Sequence, residues 1–565
     1  MRARTRTKCE YEDADEAERG DSDDNEGHEK TAARRWRLEL KSLQFQFDDT
    51  GWARPVMGAG GGGAQLLQPH QHASVGVKDM VVSCARRIYL GDGSHELPLN
   101  GGIIVDTGGI IRRVLRTAQE VNTYLYNTES EAVYDFGDLL LMPGLIDTNV
   151  HISEPGRTDW EGFVSATKAA AAGGFTTIIN RPTNATPTTV NVQALKAKTS
   201  TARGKIYVDV GFWGGLVPGN IDQLAPQLAA GVVGLQCTLY GSAPPVGEEF
   251  AAINEAQLVE ALNQLNKEHE TDAVIAFHAE LPNSEALVLP DDDSCKCYAN
   301  FLRTRPASME LSAVELICRV AAQHPEQRYH IMNLCCAEAL PVLAASRRQA
   351  GTQLTAETCP HYVALSAEEV PDCGTEFKTW PPIRERANQA LLWQALRQPD
   401  AALQLIASDH SSATPGARCL TYGRGRGNFM NAWPGISSLQ LSLPVVWTRG
   451  QQEKQPLSIA EVHRLMCWQP AQLCGLSSFK GRIAEGYDAD FCIWQPDEQF
   501  TVTSEDLFAA HKSSTPYAGQ RLSGVVHATV VRGLHVYQQY EGFGQPLGKV
   551  LLRKSSRKLV KFVRL

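Results

Sequence analysis

Three side chains in this 565-residue chain are ligand-grade and stand at the ends of apolar runs: His151, His278 and Asp409. Imidazole and carboxylate are what a Zn²⁺ that activates water needs, with one coordination position left open. Three amides hold comparable places. Asn149 lies two residues before His151, Gln236 sits in the run Val232–Cys237, and Asn333 sits in Tyr329–Leu334. Singly, each has an ordinary explanation. A histidine at a strand end is commonly a hydrogen-bonded structural residue, and an aspartate after a strand commonly caps the next helix. Jointly they point to a metal site or a former one, because all six fall where strands of one sheet would open into one mouth.

The elements that must position them are eight apolar, β-rich runs. These are Leu139–Ile146, Phe175–Asn180, Ile206–Phe212, Val232–Cys237, Ala273–His278, Tyr329–Leu334, Leu354–Thr358 and Leu403–Ser408. Helical patterns alternate with them, at Glu161–Ala172, Asn254–His269, Ser308–Gln323, Glu338–Arg348 and Glu385–Arg397. Strands apolar on both faces belong to a parallel sheet with helices outside it. The count predicts an α/β chain with a (β/α)₈ TIM-like barrel over residues 139–479, chemistry lying at the strand C-termini. An open doubly wound sheet is the alternative. Shorter β runs flank the barrel: Met80–Cys84, Gly102–Val105 and Ile110–Val114 before it, Ala489–Ile493, Gly524–Val531 and Val536–Tyr540 after it. They predict a small β domain built from residues 76–138 and 480–550. Residues 1–75, acidic over 10–30 and Gly-rich over 58–63, read as a disordered tail. Residues 551–565 carry six Lys or Arg and read as a solvated basic tail.

A net charge of −9 argues against a nucleic-acid surface. No apolar run approaches the roughly 20 residues that span a bilayer. The start, MRARTRTK, has no apolar core and the sequence turns acidic by Glu10, which fits neither a secretory leader nor a transit peptide. Fourteen cysteines without framework spacing read as reduced thiols in a cytoplasmic protein. The final Val-Arg-Leu is a loose match to the Ser-Lys-Leu peroxisomal address.

MPGLIDTNVHISEPGRTDWEGF (142–163), FWGGLVPGN (212–220), ETCPHY (357–362), PPIRE (381–385), IASDHS (406–411) and FMNAWPGISSLQ (429–440) resemble allantoinase, a cyclic amidohydrolase of the amidohydrolase superfamily. The resemblance runs from about residue 77 to the C-terminus. It implies a metal-bearing (β/α)₈ barrel with a small β-sandwich made from both chain ends, and a homo-oligomer, a tetramer in the family. It also implies hydrolysis of a small ureide, allantoin, to allantoate in purine breakdown. The family site holds two metals on an HxH pair, a carboxylated lysine, two further histidines and an aspartate that doubles as general base. Carried over, His151, His278 and Asp409 match. Asn149 stands for the first HxH histidine, Gln236 for the bridging lysine and Asn333 for the fourth histidine.

These three departures are chemically serious. A glutamine amide nitrogen cannot capture CO₂ as a carbamate, and amide oxygens are poor substitutes for imidazole on zinc. The resemblance therefore implies zinc or another divalent metal at one position at most, held by His151, His278 and Asp409, with activity reduced, mononuclear or lost. The alternative is an inactive pseudoenzyme acting as an oligomeric binding or regulatory partner. Cys237, Cys335 and Cys336 flank the lost positions, but strand alternation aims Cys237 away from Gln236. Arg181 replaces a family methionine in Asn180-Arg-Pro-Thr-Asn184. It is either a carboxylate or anion contact in place of the metal, or an exposed loop arginine. Ser153, at a family asparagine, and Asn184 are candidate substrate contacts. Pro434 replaces a glycine. Glu154, Arg157, Trp160 and Arg384 are kept, as structural roles alone would also require.

Overall fold

The apolar runs become eight parallel strands in a computed structural model that describes residues 44–47, 53–56, 80–93, 97–128, 132–241, 246–398, 400–556 and 559–564. They are β1 (Leu145–Val150), β2 (Phe175–Asn180), β3 (Asp209–Phe212, resumed at Gly214–Gly215), β4 (Gly234–Thr238), β5 (Val274–His278), β6 (Arg328–Met332), β7 (Gln353–Thr358) and β8 (Leu403–Ile406). β1, β2 and the first piece of β3 form one parallel sheet. The second piece of β3 pairs with β4 and begins a parallel sheet that runs through β8. A parallel bridge between Val150 and His410 joins the end of β1 to the chain just past β8. All residues of β1, β2 and β4 are buried, polar ones included, so burial along these strands does not alternate. The helices between strands start on polar caps where the sequence offers them. Glu255–Lys267 begins with a reciprocal capping box between Asn254 and Gln257.

The first apolar run is two strands rather than one. Leu140–Pro143 pairs antiparallel with Phe491–Thr501, and only after Gly144 does β1 begin. A Cβ on Gly144 would lie 2.2 Å from the Thr176 hydroxyl, so only glycine passes this crossing. The outer strands form one mixed sheet from both sides of the chain. Its order is Gly542–Phe543, Leu534–Gln538, Arg521–Val531, Phe491–Thr501, Leu140–Pro143, Met80–Ile88, Leu99–Asp106 and Ile111–Leu115, with Ala132–Asp135 beside Met80–Ile88. A helix at Ala118–Asn127, capped by Thr117, stands where the sequence suggested only hairpins.

One expectation about the ends changes. Within residues 1–75, Gln44–Phe47 and Ala53–Val56 form an antiparallel hairpin, and the remainder lies outside the described residues. The C-terminal segment is no solvated tail. Leu551–Ser556 pairs with Leu559–Arg564, and Leu551 is fully buried. Arg553 pairs with Asp272, and Arg564 reaches Asp488 at 2.5 Å. Two of its basic side chains are thus paired with acidic residues of the body of the protein. No helix among the described residues is long and apolar enough to cross a membrane.

A buried charge cluster ties the mixed sheet to the parallel strands. Asp209 of β3 contacts Lys480 at 3.0 Å and Arg532 at 2.6 Å, and Lys480 also reaches Asp488 and Asp490. Burial favours the neutral acid, but Lys480 and Arg532 outweigh it and hold the Asp209 carboxyl below the usual range. This contribution is therefore intact above about pH 4 and is lost only in stronger acid. Asp209→Ala strips Arg532 of its buried partner and is expected to cost about 3–5 kcal/mol in urea unfolding at pH 7. A change under about 0.5 kcal/mol would show that the cluster does not hold the two layers together.

Candidate functional site

The strand ends converge on a cleft of about 680 Å³, lined in part by His151, Arg181, Asn184, Gln236, His278, Asn333 and Asp409. Asn149 lies just beneath, so the structure gathers all six positions singled out above. Three of the lining residues have left-handed backbones, Asn184 (φ 64°), Asn333 (φ 42°) and Asp409 (φ 45°), as does Ser153 (φ 62°) outside the lining. Asn and Asp tolerate this region best among residues with a side chain, and such strain is typically stored at working sites.

The centre is occupied by Arg181. It follows β2, its backbone N–H donates to Val150 O at 2.9 Å, and its carbonyl accepts from the buried Lys198 Nζ at 3.0 Å. Its side chain is 7% exposed, which excludes the exposed-loop reading. Arg181 Nη1 donates to Asp409 Oδ1 at 3.0 Å and to Asn149 Oδ1 at 3.3 Å, while Nε donates to Gln236 Oε1 at 3.2 Å. Asn333 Nδ2 donates to the other Asp409 oxygen at 3.0 Å. The amides at 149 and 236 thus accept from the guanidinium, and the third supports its counter-ion.

This polarity is set from below. Glu357 of β7 accepts from Asn149 Nδ2 at 2.8 Å and from the Thr148 hydroxyl at 2.5 Å, with His330 Nε2 at 3.1 Å. Holding the amide nitrogen at Glu357 leaves its oxygen for Arg181. Asp147 accepts from the backbone N–H groups of Asn149 and Ser408, each at 2.9 Å. Sequence reasoning did not single out Glu357 for the site. Its place beside Cys359-Pro-His361 at the end of an apolar strand was the available signal.

The two histidines have different neighbours. His278 Nε2 lies 2.9 Å from Glu280, which is also held by Arg305. Burial alone would favour neutral Glu280, but Arg305 outweighs it and brings the carboxyl down to about 2. His151 Nδ1 lies 3.3 Å from the Thr183 hydroxyl, and its Nε2 is 3.6 Å from Asp409, too long for a hydrogen bond. Among the described residues, one group of three ligand-type side chains lies at this mouth: Cys359, His361 and Asp409, with ligand atoms within 4.8 Å of one another. Donors exist for one divalent ion at most, and the bridging position holds Gln236, which cannot carry a carbamate. That group suits an ion poorly. Burial and nearby carboxylates push the Cys359 thiol well above its ordinary value, and Asp409 is already neutralised by Arg181. The other carboxylate group, Asp209, Asp488 and Asp490, already holds Lys480.

Asp409 is also a weak base. Burial works against its charge, but contact with His151 and the Arg181 guanidinium outweigh burial and keep the carboxyl well below its usual range. Cys237 Sγ faces Ala276 O and Cys335 Sγ faces Pro382 O, so neither rebuilds a metal position. Ser153 does not line the cleft. Glu154 caps the helix at Phe163, Arg157 pairs with Glu249 and Arg384 pairs with Glu310, so these kept residues hold the walls.

The Amidohydrolase family pattern matches residues 367–536. The allantoinase of Streptomyces avermitilis is 41% identical over 74% of this chain and 89% of its own length. That of Arabidopsis thaliana is 36% identical over 92% and 98%. This chain belongs to the allantoinase family. An L-hydantoinase (dihydropyrimidinase) structure from Arthrobacter aurescens shares the fold, with a TM-score of 0.74 and 25% identity over 84% of this chain and 99% of its own. Three of the six positions that carry metal ligands by the family resemblance are amides here, so this allantoinase relative has a degenerate metal site.

Burial pushes His151 down to about 4, with Arg181 adding to the effect, and burial does the same to His361, His463 and His535. A histidine folded neutral stabilises above its ordinary pKa near 6.5 and loses that contribution as pH falls toward 4. Asp147 works oppositely: burial pushes it up to about 7, so its cost grows as pH rises from about 4 to 7. Burial also raises Glu310 and Asp490, but the four histidines, together with the lowered Asp209, Glu280 and Asp409 carboxyls, outweigh these groups. Thermal melts are expected to show stability falling steeply from pH 6.5 to 4. Flat or rising stability across that window would contradict the neutral histidines.

Proposed function

We propose that this chain binds a small neutral ureide such as allantoin in the allantoinase cleft and does not hydrolyse it by metal-activated water. The observation that carries this reading is the set of buried polar atoms left without partners among the described residues. Gln236 Nε2 and Trp380 Nε1 are unpaired donors, Asn333 Oδ1 is an unpaired acceptor, and the Thr379 hydroxyl serves as either. All four residues line the cleft. A ureide edge, C=O beside N–H, offers both complements. Arg181 and Asp409 cancel in charge, and His151 is neutral at pH 7, which favours an uncharged ligand. Unpaired groups of this kind cost stability until a ligand meets them.

The same reading takes the eight parallel strands as a closed (β/α)₈ barrel over 139–479. The Val150–His410 bridge and the divided third strand support closure. It takes the mixed sheet, from 76–138 and 480–550, as a β-sandwich. Asn333, Gln236 and Asn184 are assigned to the ligand. His151, His278 and Asp409 are assigned to shaping the cleft around Arg181. A cytoplasmic homo-oligomer is proposed on the sequence alone.

Allantoin at a hundredfold excess over its dissociation constant is expected to stabilise the protein by about 2.7 kcal/mol, read as a thermal shift. Asn333→Leu or Gln236→Leu should weaken binding by about tenfold or more. No allantoate should form with added zinc, manganese or cobalt. Turnover that depends on metal would overturn the non-hydrolytic reading, and absence of any thermal shift would overturn the ligand assignment.

A further inference from the structure

The residues present do not fit the family's metal pair, and the reason is more specific than missing ligands. We infer that the Arg181 guanidinium is the resident cation of this site, standing in permanently for the divalent metals, with Asn149, Gln236 and Asp409 as its ligands. This goes beyond ureide binding but rests on that reading for its biological sense.

A divalent ion here would need the oxygens of Asp409 and of the amides. Those oxygens already accept from one planar cation, through Nε at 3.2 Å and Nη1 at 3.0 and 3.3 Å. Guanidinium is donor-only and keeps its charge at any working pH, so it demands acceptors. Amide oxygens at 149 and 236 supply them. Imidazole at 149 would supply at most one acceptor in a fixed plane, and lysine at 236 would add a second cation. The amide at 333 does the remaining work, donating to the Asp409 oxygen that faces away from Arg181. The four positions therefore form one hydrogen-bonded unit that suits a guanidinium and repels a metal. Arg181 Nη2 makes no hydrogen bond to any described residue, although Arg181 lines the cleft. That donor is left for a ligand carbonyl.

The experiment uses the full chain, purified without chelator or metal-affinity tag. One sample is left as purified, and others are incubated with excess zinc, manganese or cobalt and then desalted. Plasma mass spectrometry is expected to find no ion above background, and neither metal nor EDTA should move Tm. Arg181→Met strands Asp409 as a buried charge and should lower Tm by at least about 5 °C. Adding Asp409→Asn removes that charge and should recover most of the loss. A stoichiometric ion in wild type overturns the inference, whether it is lost with His361→Ala or with His151→Ala. So does Arg181→Met with wild-type stability, or a double variant no better than the single one, since the arginine would then act by packing alone. Should Arg181→Met fail to fold, the wild-type metal content still decides. Loss of the allantoin thermal shift in wild type would sink the ligand assignment and leave this inference standing, so the two fail separately.

Discussion

The ion pair between Arg181 and Asp409 is the constraint on which the rest of the site depends. Asp409 is buried at the end of the eighth parallel strand, and a buried carboxylate must find a counter-charge or lose its proton. In a metal-bearing barrel the counter-charge comes from the ion. Here it comes from a side chain carried in on the loop after the second strand, and the three amides at 149, 236 and 333 are oriented to match. Glu357 fixes the Asn149 amide, that amide and Gln236 accept from the guanidinium, and Asn333 secures the second carboxylate oxygen. Removing any one element leaves a partner buried and unpaired.

This view joins changes that look like independent losses. Three ligand positions became amides and a loop residue became arginine. Taken as decay, the four have nothing to do with one another. Taken as a network, the amides are the acceptors and the donor that an arginine–carboxylate pair requires. The scaffold around them is intact: Glu154, Arg157 and Arg384 make the wall contacts, and the Asp209–Lys480–Arg532 cluster ties the mixed sheet to the parallel strands. A cleft survives above the pair, and residues with unpaired buried donors and acceptors line it.

The parallel strands, their order and the six site positions were legible because buried strands are apolar on both faces and the site residues sit at their ends. The split of Leu139–Ile146 at Gly144 was not, since two consecutive buried strands give one unbroken apolar run. The C-terminal hairpin was hidden by its charges. Arg553 and Arg564 look solvated in sequence and are paired by Asp272 and Asp488, residues hundreds and tens of positions away. The same limit applied to Arg181. Its charge near a former metal mouth was visible, but its burial and its reach to Asp409, 228 residues on, belong to the fold alone.

The most direct measurement is anomalous X-ray diffraction at the zinc absorption edge, from crystals of the full chain soaked in zinc. The account predicts guanidinium density between Asn149, Gln236 and Asp409, with no anomalous peak within bonding distance of Asp409. A peak bonded to Asp409, with Arg181 swung out of the cleft, would contradict it.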